Sequence, residues 1–155
     1  MLSESQVAQF ERNGFLNAGQ VLADQEVQAL SDALDAIIDK GPDGFAEGEG
    51  RPVLFRDMTN GQGAPVWQIV NIWEASEPFR DLIAHPFIVK AICQLTGFDD
   101  LQVWHDQVQY KPAEAGGATT WHQDAPLWPS IEPMTPVSAW IPFDDAKIEN
   151  GCMWM

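Results

Sequence analysis

His122 and Asp124, in the run Trp121-His122-Gln123-Asp124, are the residues whose types and spacing best fit metal chemistry. In extended backbone, residues two apart project from one face, about 6–7 Å apart along the chain. An imidazole nitrogen and a carboxylate oxygen placed so can turn in onto one ion. Nitrogen plus oxygen with positions left open is the pattern of a non-haem Fe(II) oxygenase, whose full set is two histidines and one carboxylate. The sequence gives the first two ligands, and no second histidine follows before Met155. Two other readings stand beside this one. His122 and Asp124 can be a hydrogen-bonded pair at a turn, or His105 can join them as the missing histidine.

The elements that must position the pair are β in texture. Residues 101–111 alternate with period two. Trp104, Asp106, Val108 and Tyr110 share one face, and Val103, His105, Gln107, Gln109 and Lys111 share the other. A face of His, Gln, Gln and Lys is either solvated or the inner side of an open barrel that binds a polar ligand. A loop at Lys111-Pro112 and Gly116-Gly117 leads into a short strand over 119–124. Four prolines, at 126, 129, 133 and 136, make 125–134 an irregular loop carrying Trp128 and Met134. A strand over 135–143 sets Val137, Ala139, Ile141 and Phe143 against Ser138 and Trp140. A turn over 144–150 precedes the start of a last strand at 151–155.

Upstream the text is helical. Ser3 caps a short helix with Val7 and Phe10 on one side, ended by Asn13-Gly14. Asp24 caps a longer one with an apolar stripe of Val27, Leu30, Leu34, Ile37 and Ile38, stopped by Gly41-Pro42. Residues 41–50 and 59–65 are Gly-rich loops around a strand at 53–57, and 66–73 is ambiguous between strand and helix. Ser76 and Pro78 start a helix with Phe79, Leu82 and Ile83. His85-Pro86 starts another with Ile88, Val89, Ile92 and Leu95, ended by Gly97. His85 is a surface or capping residue in this reading. The fold class is α+β: N-terminal helices over 1–100 packed on the first strands, 101–155, of an all-β barrel or jelly roll.

The chain of 155 residues is one domain's worth. Eight Lys and Arg against 23 Asp and Glu leave a net charge of -15, which repels phosphate backbones and disfavours nucleic acid. Cys93 and Cys152 form no metal or redox motif and read as reduced thiols. There is no secretory opening and no membrane-length apolar run. The expectation is a soluble cytoplasmic protein, with a second copy of itself as one candidate partner.

Several motifs in order resemble the phytanoyl-CoA dioxygenase family: Gln107-Val108-Gln109-Tyr110-Lys111-Pro112, Trp121-His122-Gln123-Asp124, Val137-Ser138-Ala139-Trp140 and Glu149-Asn150-Gly151-Cys152-Met153. The opening Phe10-Glu11-Arg12-Asn13-Gly14-Phe15 is similar too. The resemblance implies a double-stranded β-helix and a hydroxylase using Fe(II), 2-oxoglutarate and O₂. It places iron on His122 and Asp124, and 2-oxoglutarate beside His105, Gln107, Gln109 and Trp140. A carboxylate at 124, where related halogenating enzymes carry a small residue, favours hydroxylation. The family's second iron-binding histidine and its 2-oxoglutarate-binding arginine follow the Asn-Gly-Cys turn and are absent here. The expectation is therefore the N-terminal portion of an oxygenase, inactive as written, with a non-catalytic binding or structural domain as the alternative. The acidic balance points to a small organic substrate rather than an acyl-CoA.

Overall fold

The computed structural model describes residues 1–114, 116–134 and 136–155. Four helices and three strands follow one another: α1 (Glu4–Asn13), α2 (Asp24–Lys40), β1 (Leu54–Asp57), β2 (Trp67–Val70), α3 (Glu77–Ile83), α4 (Pro86–Thr96) and β3 (Gln107–Tyr110). Single 3₁₀ turns sit at Ile72–Glu74, Ala125–Leu127 and Ile148–Asn150.

Local chemistry accounts for the helix ends. Ser3 Oγ accepts from the Gln6 amide while the Gln6 side chain accepts from the Ser3 amide, so two orphan donors are satisfied reciprocally at α1. At α2 the cap differs from the sequence reading. Ala23 holds the N-cap position and Asp24 is the first helical residue. Ala23 has no side-chain acceptor, so the Glu26 carboxylate accepts the Ala23 amide at 2.7 Å instead. Gly14 and Gly97 end α1 and α4 at φ 77° and 74°, a left-handed conformation that glycine adopts without Cβ strain.

The ambiguous stretch 66–73 is both things in turn. Its first half is β2 and its second enters the 3₁₀ turn through Asn71 at φ 56°. β2 is the central strand of an antiparallel sheet ordered β1-β2-β3. Phe55, Ile69 and Val108 lie in one register row, and Asp57, Trp67 and Tyr110 in another. Ile69, fully buried, heads a core with Ile72 and Phe79 and with Leu30, Leu34 and Ile37 of α2. Phe55 and Trp67 meet edge to face at 5.0 Å. The opposite face of the sheet carries Leu54, Arg56, Gln68, Val70, Gln107 and Gln109. There Arg56 donates to Gln68, and Gln68 donates to Gln107 at 3.0 Å.

Asp57 organises the β1–β2 connection. Its carboxylate accepts from the Thr59 amide and hydroxyl and from the amides of Gly61 and Val66. These donors, the Thr59 amide first, hold the carboxyl below its ordinary range. A lowered folded-state value contributes stability above the unfolded-state value and loses it as pH falls through the folded one. Asp57→Ala is therefore expected to speed amide exchange at Thr59, Gly61 and Val66 at neutral pH. Acidification should remove most of the difference from the wild type.

Other expectations are corrected. In 101–111 only Gln107–Tyr110 joins a sheet. Residues 119–124, 136–143 and 151–155 form no strand, and Thr135 lies outside the described residues. Periodicity reports which side chains share a face, whereas a ladder needs a second backbone alongside. The face reading does hold at Ile141 and Phe143, which pack on the core, with Phe143 6.0 Å from Phe79. Ala139 is exposed. His85 is half-buried at the N-cap of α4, with Nε2 3.9 Å from Glu26. The weighting toward β is not observed among the described residues, whose sheet has three short strands. No helix of the described residues is long and apolar enough to cross a membrane.

Candidate metal centre

His122 Nε2 lies 3.3 Å from Asp124 Oδ1, although the backbone there is irregular rather than a strand. Asp124 caps the Ala125–Leu127 turn, which bends the chain back after it. The other ring nitrogen of His122, Nδ1, sits 2.8 Å from the Thr120 carbonyl. A carbonyl only accepts, so Nδ1 carries the proton. Nε2 then faces a carboxylate, and a positive charge between the two, a proton or a metal ion, satisfies both groups. Orientation of a ligating imidazole by a backbone carbonyl on its far nitrogen is a recurrent feature of metal sites.

The pair fits a metal ion. Donors 3.3 Å apart subtend an angle of about 100° at an ion about 2.1 Å from each, close to a cis pair in an octahedral or tetrahedral shell. Both side chains are about half exposed, His122 at 49% and Asp124 at 45%, so the ion would have an entry path. Among the described residues no third His, Cys, Asp or Glu joins them. The reading in which His105 completes a three-ligand set is therefore not supported by the geometry.

The loop bearing the pair is tied at two places to the 105–111 segment. Before the pair, Lys111 Nζ donates to the Gly117 carbonyl at 2.9 Å and lies 3.5 Å from Thr119 Oγ1. After it, Trp128 meets the His105 ring edge to face at 5.6 Å. His105 and Lys111 are odd-numbered, as are Gln107 and Gln109 between them. The exposed Gln107 and Gln109 share one face of β3 and lie, in sequence, between the two residues from which the ties arise. Trp140 is exposed too, and its neighbour Ile141 is on the core side. Sequence reasoning did not single out the Thr120 carbonyl or the Arg56–Gln68 pair that extends the polar row, and it placed Lys111 on the polar face without a tie to the loop. The Lys-Pro followed by Gly-Gly was the available signal for Lys111. Nothing in the sequence marks a backbone carbonyl.

Asp106 points the other way. Its carboxylate oxygens are buried and reach no partner at hydrogen-bond geometry. Burial pushes its pKa up, and the nearby Trp73 and Ile72 amides offset this only in part. A raised folded-state value means the destabilisation is absent at low pH and grows as pH rises through that value. Asp106→Asn should therefore stabilise the protein at neutral pH by about 1 kcal/mol. That is the low end for an unsatisfied polar group, because the Trp73 and Ile72 amides offset part of the burial. Thermal melts at neutral and acidic pH check it, with the gain shrinking in acid.

Comparison with known proteins bears on these residues. Curated relatives include phytanoyl-CoA dioxygenase domain-containing protein 1 of Bos taurus, 25% identical over 99% of this chain and 64% of its own length. Another is ectoine dioxygenase of Halomonas elongata, 28% identical over 97% of this chain and 43% of its own. The chain thus spans between about two fifths and two thirds of the relatives it matches. No solved structure matches it significantly. The model of the phytanoyl-CoA dioxygenase family matches residues 10–155, which takes in the ordered motifs and the His122–Asp124 pair, and the chain belongs to that family.

Proposed function

We propose that this chain forms the iron- and cosubstrate-facing portion of an Fe(II)- and 2-oxoglutarate-dependent dioxygenase that hydroxylates a small organic molecule. The observation that carries the reading is the 3.3 Å approach of His122 Nε2 to Asp124 Oδ1, with Nδ1 held by Thr120. Family membership implies a cupin-like fold, and a jelly roll completed by further strands is the form we assign to it.

When bound, ferrous iron with 2-oxoglutarate and O₂ supplies oxidative decarboxylation coupled to hydroxylation. The chain's own residues prepare for it. His122 presents a neutral nitrogen and Asp124 a carboxylate, which leaves positions open for exchangeable ligands. His105, Gln107, Gln109 and Trp140 line the cosubstrate side, the glutamines offering amide donors to carboxylate oxygens. Trp128 meets the His105 ring edge to face and fixes its position. His122 and Asp124 are two donors of the family's three, and two protein donors hold iron more weakly than three. A small substrate fits the net charge of -15 better than a polyanion does.

The test compares this chain with a protein carrying the C-terminal sequence found in the longer relatives. Release of CO₂ from 2-oxoglutarate that requires Fe(II) and appears with the longer protein supports the reading. No Fe(II) binding and no decarboxylation by either one would instead favour a structural domain that kept the fold and lost the site.

A further inference from the structure

We infer that Lys111 is a positioning residue for the metal ligand His122, acting through the 116–120 segment without touching the ion. The inference rests on the proposed metal site and adds to it the part that sets the imidazole.

Two independent observations carry it. The first is the tie itself: the Lys111 ammonium donates to the Gly117 carbonyl at 2.9 Å, with Thr119 Oγ1 at 3.5 Å. Thr120, next along, supplies the carbonyl that holds His122 Nδ1 at 2.8 Å. The second is packing at Gly116, whose φ is +90°. A Cβ there would lie 3.2 Å from Val66 Cγ2 and 3.5 and 3.6 Å from Lys111 Cδ and Cγ. The loop is therefore laid against the aliphatic stem of the same lysine whose head it accepts.

Pro112, Gly116 and Gly117 lie in the connection between β3 and His122, and the two glycines carry no side chain to hold it. Glycine is the residue with most backbone freedom to lose, so an unpinned loop would let the Thr120 carbonyl wander. Lys111 stands at the end of β3, fixed by the sheet, and transmits that fixed position to the carbonyl. The chemistry that results is a tautomer: proton on Nδ1, lone pair on Nε2, as a metal ligand requires. Among the lysines and arginines whose side-chain hydrogen bonds are described, Lys111 is the one tied to the segment entering the site.

The experiment uses the 155-residue chain, ¹⁵N-labelled. Two-bond ¹H–¹⁵N correlation spectra above the histidine titration range report which ring nitrogen of His122 is protonated. Three histidines keep the spectrum resolvable, and His122→Ala assigns the signal. The wild type should be protonated at Nδ1. Lys111→Met should give a mixture of tautomers with an unchanged melting temperature, since the side chain is exposed, and Lys111→Arg should restore Nδ1–H. Gly116→Ala, which crowds the stem, should resemble Lys111→Met.

The second readout is Co(II) affinity by calorimetry. It should fall about tenfold in Lys111→Met, the low end for loss of an outer-shell partner. An unchanged tautomer in Lys111→Met, or a wild-type ring protonated at Nε2, overturns the inference. A tautomer that responds in a chain that binds no Co(II) supports the positioning role and counts against the metal-site reading. Co(II) binding with an unresponsive tautomer does the reverse.

Discussion

His122→Ala removes measurable Fe(II) binding. With two donors converging among the described residues, losing one leaves a lone carboxylate on an exposed loop. The expected loss exceeds about 100-fold, because the replacement of outer-shell partners alone costs about 10–100-fold. Titration calorimetry under anaerobic conditions measures it, with Co(II) as the oxidation-resistant substitute. Asp124→Asn should be milder in geometry and still severe in affinity, because the amide keeps an oxygen and loses the charge. The informative comparison is His105→Gln. Its ring contacts Trp128 and its Nδ1 lies 3.3 Å from the Asp106 carbonyl, so the described geometry does not commit it to the ion. Metal affinity within about threefold of the wild type, with a weaker response to 2-oxoglutarate, fits the cosubstrate role assigned to it. A loss at His105→Gln as large as at His122→Ala would make His105 a ligand and replace the family-type site by a different metal centre. Retained affinity in His122→Ala would dispose of the site altogether.

Much of this arrangement is written in local sequence, and the part that is not has a physical reason. The stripe Leu30, Leu34 and Ile37 is the buried side of α2 because helical spacing puts those residues on one face and nothing in the tertiary fold competes. The odd-even division survives over Gln107–Tyr110, with Gln107 and Gln109 outward and Val108 toward the core. The nearness of His122 and Asp124 also follows from spacing, yet the cause differs from the extended strand that spacing suggests. The Asp124 turn and the Thr120 carbonyl bring the groups together on irregular backbone. Strand pairing was not legible. The alternation at Val137, Ile141 and Phe143 predicts a face, but a ladder depends on which backbone comes alongside, and that is a non-local fact. The Asp24 cap failed for a subtler reason. Both Asp24 and Glu26 can satisfy an N-terminal amide, and reach from the third helical position won. The ties by Lys111 and Trp128 link residues 6 and 23 positions apart, beyond any periodic signal.

Ile69→Ala should be the most destabilising single change in the chain and should leave the intrinsic metal affinity of the folded protein unchanged. Ile69 is wholly buried at the centre of the middle strand, flanked by Phe55 on β1 and Val108 on β3 in one register row. Truncation removes three heavy atoms and leaves a cavity that backbone hydrogen-bonded on both sides cannot easily collapse into. The expected cost is about 3–4 kcal/mol, within the range for isoleucine-to-alanine changes in cores. That is a large share of a typical domain's stability of about 5–15 kcal/mol, and for a chain of this size it lowers the melting temperature by about 10 °C. Ile69→Val should cost about 1 kcal/mol, and Ile148→Ala, at a 71% exposed position, within about 0.5 kcal/mol. The metal pair sits on a loop tied to β3 rather than packed on Ile69, so its donors keep their spacing wherever the sheet is folded. Calorimetric titration of Ile69→Ala well below its melting point, where the chain is folded, should give the wild-type dissociation constant. A raised dissociation constant at full active fraction would mean that the core and the metal loop are mechanically coupled. The sheet would then be part of the site and not merely its platform.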